Sequence, residues 1–307
     1  ALCASRASVA LPALLRASAW GARHGEHAFR GRTLLAAARV LSEAGRGEEA
    51  VGWLEEAHAR FLAAGDAAAA AEALNVMAVH DYHQGRLEAA ARRWTEAASS
   101  ARDGDAGAHA ALLGNLAAVE VQRGRLAEAR ERYEQALALA RSVDRRGEEA
   151  LCLHNLALVD HLRGRLDSAR REAEEALAFA ARAKKTDWEA RGRALLALVA
   201  LDAGAASEAQ RAVDDARALA EAHGLRREVH VDVSLAEVEV ALGRGRPVVA
   251  EAAWSRAASH AGALGEPGAK AAVALAEAEV ALARGQSARA LRAVEEAETL
   301  ASRHGLQ

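Results

Sequence analysis

Residues 115–137 read NLAAVEVQRGRLAEARERYEQAL, and residues 155–177 read NLALVDHLRGRLDSARREAEEAL. The two stretches begin 40 residues apart and share the segments Asn-Leu-Ala, Arg-Gly-Arg-Leu and Ala-Leu in the same register. Self-similarity at a fixed period of about 20–50 residues is the sequence signature of repeat architectures. These stretches therefore indicate a chain built from stacked repeats.

A glycine in each repeat extends this period along the chain, with steps of 39 to 41 residues. Alanine stands five and twelve residues after every one of these glycines, and alanine or, once, valine stands seven residues before it. Glycine ends a helix readily because it adopts a left-handed backbone, and small residues let two antiparallel helices approach closely. The pattern predicts helix hairpins that turn at Gly45, Gly85, Gly124, Gly164, Gly204, Gly245 and Gly285.

The composition of the 307 residues agrees with a helical chain, because 51% are hydrophobic while only 3% are aromatic and only three are proline. The formal net charge is −3, which is not the basic signature of a nucleic-acid-binding protein. No uncharged apolar run reaches the roughly 18 residues of a membrane span, and residues 1–20 lack the order of a signal peptide. We therefore predict a cytoplasmic protein with neither a nucleic-acid nor a membrane partner. Because the chain begins with Ala1, we expect it to be a piece of a longer protein.

The repeat pattern predicts fifteen helices. One covers residues 5–23, and the first helices of the hairpins cover residues 26–44, 66–84, 106–123, 146–163, 186–203, 227–243 and 267–284. The second helices cover residues 47–64, 87–102, 126–143, 166–183, 206–223, 247–264 and 287–304. Gly65, Gly104, Gly224 and Gly265 mark turns between successive hairpins.

The two quoted stretches resemble the tetratricopeptide-repeat consensus, including its step from alanine to an aromatic residue, here Ala129 to Tyr133. The resemblance covers about residues 26–307 and implies an all-α, right-handed superhelical solenoid of about seven antiparallel hairpins. Residues 1–25 are then an extra N-terminal helix, the remnant of a preceding repeat. The usual repeat is about 34 residues long and closes with proline, whereas this one is about 40 and has no such proline. HEAT repeats, of about 40–47 residues, are the alternative, but they lack the glycine–alanine register.

The last two repeats differ from the others and resemble each other. Residues 234–242 read SLAEVEVAL, and residues 274–282 read ALAEAEVAL. We expect them to form a separate subset or a capping region.

The resemblance also implies where a ligand would bind, because the first helices of this family line a groove. The groove residues carried over to this chain are Asn75, Val79, Tyr82, Asn115, Ala118, Gln122, Asn155, Leu158 and His161. Further first-helix positions on the same side are Ala111, Leu151, Arg191, Leu198 and Leu201. Arg32 and Arg39 also lie on first helices but away from the asparagines, so a clamp for a terminal carboxylate is not expected.

Asn75, Asn115 and Asn155 follow one another at intervals of 40 residues. An amide side chain both donates and accepts, so such a ladder can pair with an extended peptide backbone. The alternative is that each asparagine bonds within its own or the adjacent hairpin. Asn75 lies ten residues before its glycine and the other two lie nine before theirs, which a one-residue insertion in the turn would explain.

Catalytic and metal-binding patterns are weak. His80 and His83 share a helix face, as zinc ligands do, and His154, Asp160 and His161 form a second group, but neither group has the His-Glu-x-x-His arrangement. A Cys152–His154 nucleophile pair is disfavoured, because residues two apart on a helix point in different directions. We predict no enzyme, no metal and no cofactor.

Two functions remain. The first is a protein-interaction scaffold that binds a peptide or helix in its groove. The second is the sensor arm of a larger bacterial signalling or transcription regulator, which would bind a small inducer or other domains of the same chain.

Overall fold

The computed structural model describes residues 2–43, 46–102 and 104–304, and all of its regular secondary structure there is α-helical. Glycine at position 45 lies outside the described residues. The helices, between 15 and 22 residues long, are α1 (Leu2–Arg23), α2 (His27–Glu43), α3 (Gly47–Ala63), α4 (Ala67–His83), α5 (Leu87–Ala101), α6 (Ala106–Gln122), α7 (Leu126–Ser142), α8 (Arg146–Leu162), α9 (Leu166–Arg182), α10 (Thr186–Asp202), α11 (Ala206–Ala222), α12 (Arg227–Gly243), α13 (Pro247–Leu264), α14 (Pro267–Ala283) and α15 (Ser287–His304).

From α4 onward, three-residue turns join the first helix of a repeat to the second. Gly85, at the middle of the turn from α4 to α5, has a φ of 72°, in the left-handed region that glycine tolerates. The N–H of Arg86 then donates to the carbonyl of Asp81 at 2.8 Å, the long bond of a Schellman helix end. The same 2.8 Å bond closes the turns after α6, α8, α10, α12 and α14. The all-α hairpin fold is therefore confirmed, and the periodic glycine adopts the left-handed backbone in each hairpin turn from Gly85 to Gly285.

Alanine forms much of the core, as the close approach of the helices requires. The described alanines at the periodic positions, like Val238, are at most 6% exposed. Larger side chains fill the remaining space between the helices, among them Phe61 and Leu54, which are buried. Ala129 and Ala136 of α7, both fully buried, lie on one face of that helix together with Tyr133, which is 2% exposed. The small-residue register thus marks packed surfaces.

The chain divides into two compact units. Unit 1 comprises Ala1–Tyr82 and Arg86–Val119, and unit 2 comprises His83–Gly85 and Glu120–Gln307. In unit 1, α1 packs on α2 and α2 packs on α3. In unit 2, α8 packs on α9, α10 on α11, α12 on α13 and α14 on α15. Each of these four first helices also contacts the next first helix, so that α8 contacts α10, α10 contacts α12 and α12 contacts α14. The first helices of unit 2 therefore present one continuous side.

Two buried carboxylates on first helices are paired with arginines of second helices. Asp160 of α8 is fully buried, and its Oδ2 lies 2.6 Å from Nη1 of Arg130 on α7. Glu237 of α12 is 5% exposed and accepts a bond of 2.6 Å from Arg256 on α13. A buried charge is tolerated only when it is paired, so these ion pairs fix helix against helix. None of the described helices combines the length and the apolarity needed to cross a membrane.

Candidate functional site

The nine residues expected to line the groove all lie on first helices, and none of them is buried. Three lie on α4, three on α6 and three on α8. Those of α4 belong to unit 1 together with Asn115 and Ala118, whereas Gln122 and the residues of α8 belong to unit 2. The structure thus leaves these side chains accessible in two sets, one in each unit.

Asn75 and Asn115 are joined directly in unit 1. The Nδ2 of Asn115 donates to the Oδ1 of Asn75 at 3.1 Å, and the indole Nε1 of Trp94 donates to the same oxygen at 2.8 Å. Trp94 is 2% exposed, so its N–H needs a partner inside the protein. The side-chain oxygen of Asn75 is therefore occupied by Trp94 of its own hairpin and by Asn115 of the next first helix. This matches the alternative in which the asparagines bond within the repeats rather than to a peptide.

The register of Asn75 has a different origin from the one expected. The turns after α4 and α6 both contain three residues, so neither turn has an insertion. Asn75 is instead the ninth residue of its helix, whereas Asn115 and Asn155 are each the tenth of theirs. One residue rotates a side chain by about 100° around a helix, and this rotation directs Asn75 to Trp94. The expectation of a turn insertion was wrong.

A cleft in unit 1 lies against α2, α4 and α6, beside Asn75. It holds about 1440 Å³ of empty space, counted out to the open solvent, which is room for a segment of chain rather than a single ion. The buried Leu35, Phe61 and Leu112 form its floor, and its accessible apolar lining consists of Ala68, Ala69, Ala108 and Ala111. Its polar lining comprises Arg32, Asp66, Glu72, Asn75, Ser100 and Asp105. The cleft thus combines an apolar surface with polar groups from α2, α4 and α5 and from the residues that precede α4 and α6.

The charges of this cleft differ in how strongly they are held. Asp66 and Asp105 accept backbone N–H bonds at the starts of α4 and α6, and Glu72 is paired with Arg39. Arg32 lies 3.6 Å from Asp66, and its side chain is 72% exposed. Arg32 is therefore the cation most open to an incoming carboxylate. Arg32 and Asn75 line the same cleft, but the ion-pair partner of Arg32 is Asp66, which lies nine residues before Asn75.

Unit 2 carries a smaller pocket on α8, α9 and α10, with about 340 Å³ of empty space. It is lined by Leu151, His154, Trp188 and Arg191, together with two alanines. Burial lowers the pKa of His154 to about 4, and the positive charge of Arg191 acts in the same direction, so this imidazole is neutral at pH 7. The pocket is therefore apolar in character, with one cation at its edge.

Arg191 is held by the next first helix. Its Nε donates to Oδ2 of Asp232 at 2.6 Å, and burial raises the pKa of Asp232 while Arg191 opposes that rise. Asp232 was not among the expected groove residues. Arg191 and Asp232 each lie thirteen residues before the glycine of their repeat, so comparing equivalent positions could have paired them.

The other candidate groups do not assemble into a reactive centre. Asp160 points to Arg130, whereas the Nε2 of His161 lies 2.8 Å from Oδ2 of Asp202. Burial, with the charges of Glu148 and Glu149, raises the pKa of Cys152 to about 12, so its thiol is not a ready nucleophile. Among the described residues, no three histidine, cysteine, aspartate or glutamate side chains come together as a metal site would require.

A family model for the tetratricopeptide repeat matches the chain at residues 69–142 and again at residues 108–182. The two overlapping matches include both sequences quoted at the outset. Residues 69–182 therefore carry tetratricopeptide repeats. No curated relative matches it in sequence.

Solved structures with similar folds cover almost the whole of this chain. The Rap conjugation gene regulator of plasmid pLS20, in complex with the Phr* peptide, has a TM-score of 0.72 at 14% identity, over 92% of this chain and 77% of its own. A Rap protein complexed with the competence and sporulation factor has a TM-score of 0.71 at 13% identity, over 98% and 87%. Aspartyl phosphate phosphatase F from Bacillus subtilis has a TM-score of 0.66 at 14% identity, over 89% and 69%. At these identities the similarity establishes the fold.

Proposed function

We propose that the chain is a non-catalytic interaction scaffold of the cytoplasm that binds a peptide segment of a protein partner in the unit-1 cleft. The observation that carries this proposal is the cleft itself, which is lined by apolar side chains, by the amide of Asn75 and by the exposed guanidinium of Arg32 near Asp66. Ligand sites combine an apolar surface with a few converging polar groups in this way. An extended peptide would place apolar side chains against the partly exposed Ala108 and Ala111 and a carboxylate on Arg32.

The similar structures support this proposal through their ligands. The regulator of plasmid pLS20 was solved with a peptide, and a second Rap protein was solved with the competence and sporulation factor. Both share the helical repeat fold with this chain, although at identities below 15%. A non-catalytic role is part of our proposal, because one similar structure is named as a phosphatase.

The similarity of the fold to the conjugation gene regulator of plasmid pLS20 also favours the second candidate function, a sensor arm. A sensor arm of a larger bacterial regulator would use the same cleft, with the peptide acting as the signal that changes contacts to other domains. Release of an attached domain on peptide binding would distinguish this role from a scaffold that only joins partners.

The test is to select binders from a library of random peptides displayed on phage and to measure the affinity of the selected peptides by calorimetry. Ala111→Arg places a long side chain at a partly exposed position of the cleft lining, and Ala127→Arg makes the same change on an exposed surface of α7. We expect peptides that lose at least about tenfold in affinity for A111R and keep it for A127R. Circular dichroism spectra of both variants serve as the folding control.

Failure to select any peptide, or equal affinity for A111R and wild type, would contradict binding in this cleft. Phosphatase activity of the chain on an acyl-phosphate substrate would contradict the non-catalytic role.

A further inference from the structure

The last two first helices repeat one pattern of side chains. On α12, Leu235, Glu239 and Leu242 lie ten, six and three residues before Gly245, and Leu275, Glu279 and Leu282 lie at the same distances before Gly285. Residues separated by four and three along a helix share a face. Since α12 contacts α14, two parallel Leu-Glu-Leu stripes lie side by side in unit 2, and we name them the Leu-Glu surface.

The Leu-Glu surface is apolar and open. Leu275 is 52% exposed and Leu282 is 62% exposed, whereas Leu235 and Leu242 are partly buried against the core between α12, α13 and α14. The carboxylates belong to these two repeats alone, because the residues equivalent to Glu239 are Val79, Ala118, Leu158 and Leu198 in the four repeats before them. The separate character of the last two repeats is thus concentrated at this surface.

The two glutamates of this surface have no basic partner within the described residues, whereas their neighbours on the same helices do. Arg256 donates to Glu237 at 2.6 Å, and Arg289 donates to Glu277 at 2.7 Å. Glu239 and Glu279, two residues further along, form no ion pair in the described part of the chain. Arginines therefore neutralise one side of α12 and α14 and leave the Leu-Glu surface negative.

The negative charges of the surface act on one another. Surrounding protein atoms remove water from Glu239, although its side chain is exposed, and raise its pKa to about 7, with repulsion from Glu279 and Asp202 adding to the effect. Asp202 stands at the end of α10, the preceding first helix, which contacts α12. Like charges held close together favour a cationic partner, because that partner relieves the repulsion.

We propose that the Leu-Glu surface docks a cationic amphipathic helix of a partner protein, with its apolar residues on the leucines and its lysines or arginines on Glu239 and Glu279. Apolar anchors at helical spacing, with charges beside them, are the pattern by which a helix is recognised in a groove. A second copy of this chain is a poorer occupant, because a symmetric contact would bring the same carboxylates together. This surface is separate from the unit-1 cleft, so the proposal does not depend on peptide binding there.

The test uses a synthetic amphipathic helix of about 14 residues that contains only leucine and lysine, with a leucine–glutamate peptide of the same pattern as the charge control. Affinity is measured by fluorescence anisotropy near pH 8, where Glu239 is charged. The binding variant is Glu239→Gln/Glu279→Gln. The matched control is Glu295→Gln/Glu298→Gln on the exposed side of α15, which removes the same net charge.

We expect the leucine–lysine peptide to bind wild type and the control variant alike, and to bind E239Q/E279Q at least about tenfold more weakly. Leu275→Ser/Leu282→Ser should weaken it by a similar factor, and Ala111→Arg should leave it unchanged. Equal weakening by both glutamine pairs would show attraction to net charge alone and overturn the proposal. Equal binding of the leucine–glutamate peptide would also overturn it, as would a loss of binding in A111R.

Discussion

The amide nitrogen of Asn115 donates to the amide oxygen of Asn75, 40 residues earlier, and so joins α6 to α4 within unit 1. That oxygen also accepts from the indole of Trp94. One acceptor therefore ties together a second helix and two first helices on the side that faces the cleft.

The asparagines can be tested against this network. We expect Asn115→Ala to weaken a cleft-bound peptide, because the amide of Asn75 in the cleft lining loses the hydrogen bond that holds it. The chain should stay folded, because the loss of one partly exposed hydrogen bond costs only about 0.5–1.5 kcal/mol. Asn155→Ala, in unit 2, should leave that peptide's affinity unchanged if the unit-1 cleft is the site. Calorimetry with a selected peptide measures both, and an undiminished affinity in N115A would remove the asparagine from the site.

Ala129 tests the packing register. It is fully buried on α7, so Ala129→Leu forces three extra carbon atoms into a closed contact. We expect a loss of about 1–3 kcal/mol in the free energy of unfolding, the usual effect of overpacking. Ala127→Leu, two residues away and exposed, is the control. Chemical denaturation that gives the same midpoint for A129L and wild type would show that the alanine register is misassigned.

The pair of Arg130 and Asp160 tests how the buried charges are held. Arg130→Met leaves Asp160 buried without its cation, and we expect a loss of about 3–5 kcal/mol in unfolding free energy. Arg130→Met/Asp160→Leu should recover most of this loss, because an apolar pair of similar volume needs no neutralisation. Urea denaturation of both variants decides the matter, and a double variant less stable than R130M would contradict it.

His154 gives the chain a sensitivity to acid. Its pKa falls from 6.5 to about 4 on folding, so the folded state binds fewer protons than the unfolded state between these values. The stability from this residue is therefore present above pH 6.5 and is lost as the pH falls toward 4. Between pH 7 and pH 5 the loss should be at most about 2 kcal/mol.

His154→Gln keeps a polar side chain that does not titrate, so its unfolding free energy should change less over this range. Denaturation midpoints at pH 7 and pH 5 give the comparison. Equal losses in H154Q and wild type would assign the acid sensitivity to other groups.

Helix boundaries could be predicted from the sequence because glycine and alanine are tied to the geometry of the hairpins. The ends of the described helices after α1 fall within one residue of their expected positions, whereas α1 begins three residues before its expected start. The turns between repeats were less predictable. Asp144 and Lys184 adopt φ values of 51° and 53°, in the left-handed region that Gly65 and Gly265 occupy with φ values of 71° and 77°. No residue type marked these two positions as turns.

The candidate site was predictable only in part. The sequence placed Asn75 and Asn115 on first helices, because their spacing matches the repeat. It could not show that Trp94 would bind Asn75, since a one-position rotation around α4 decides that contact. It also could not bring Arg32 to the cleft, because that depends on how α2 and α4 pack rather than on any local motif.

The turns at Asp144 and Lys184 have the same backbone conformation, so one whole repeat could be removed between them. Helices α8 and α10 begin 40 residues apart, each two residues after one of these turns, and both contain 17 residues. Excision of residues 146–185 would therefore join α7 to α10 through a link of the same shape as the one removed. A gene encoding such a chain can therefore gain or lose a whole repeat without straining the backbone at the new connection. The number of repeats, and with it the number of binding surfaces, can then change while the residues of each surface stay the same.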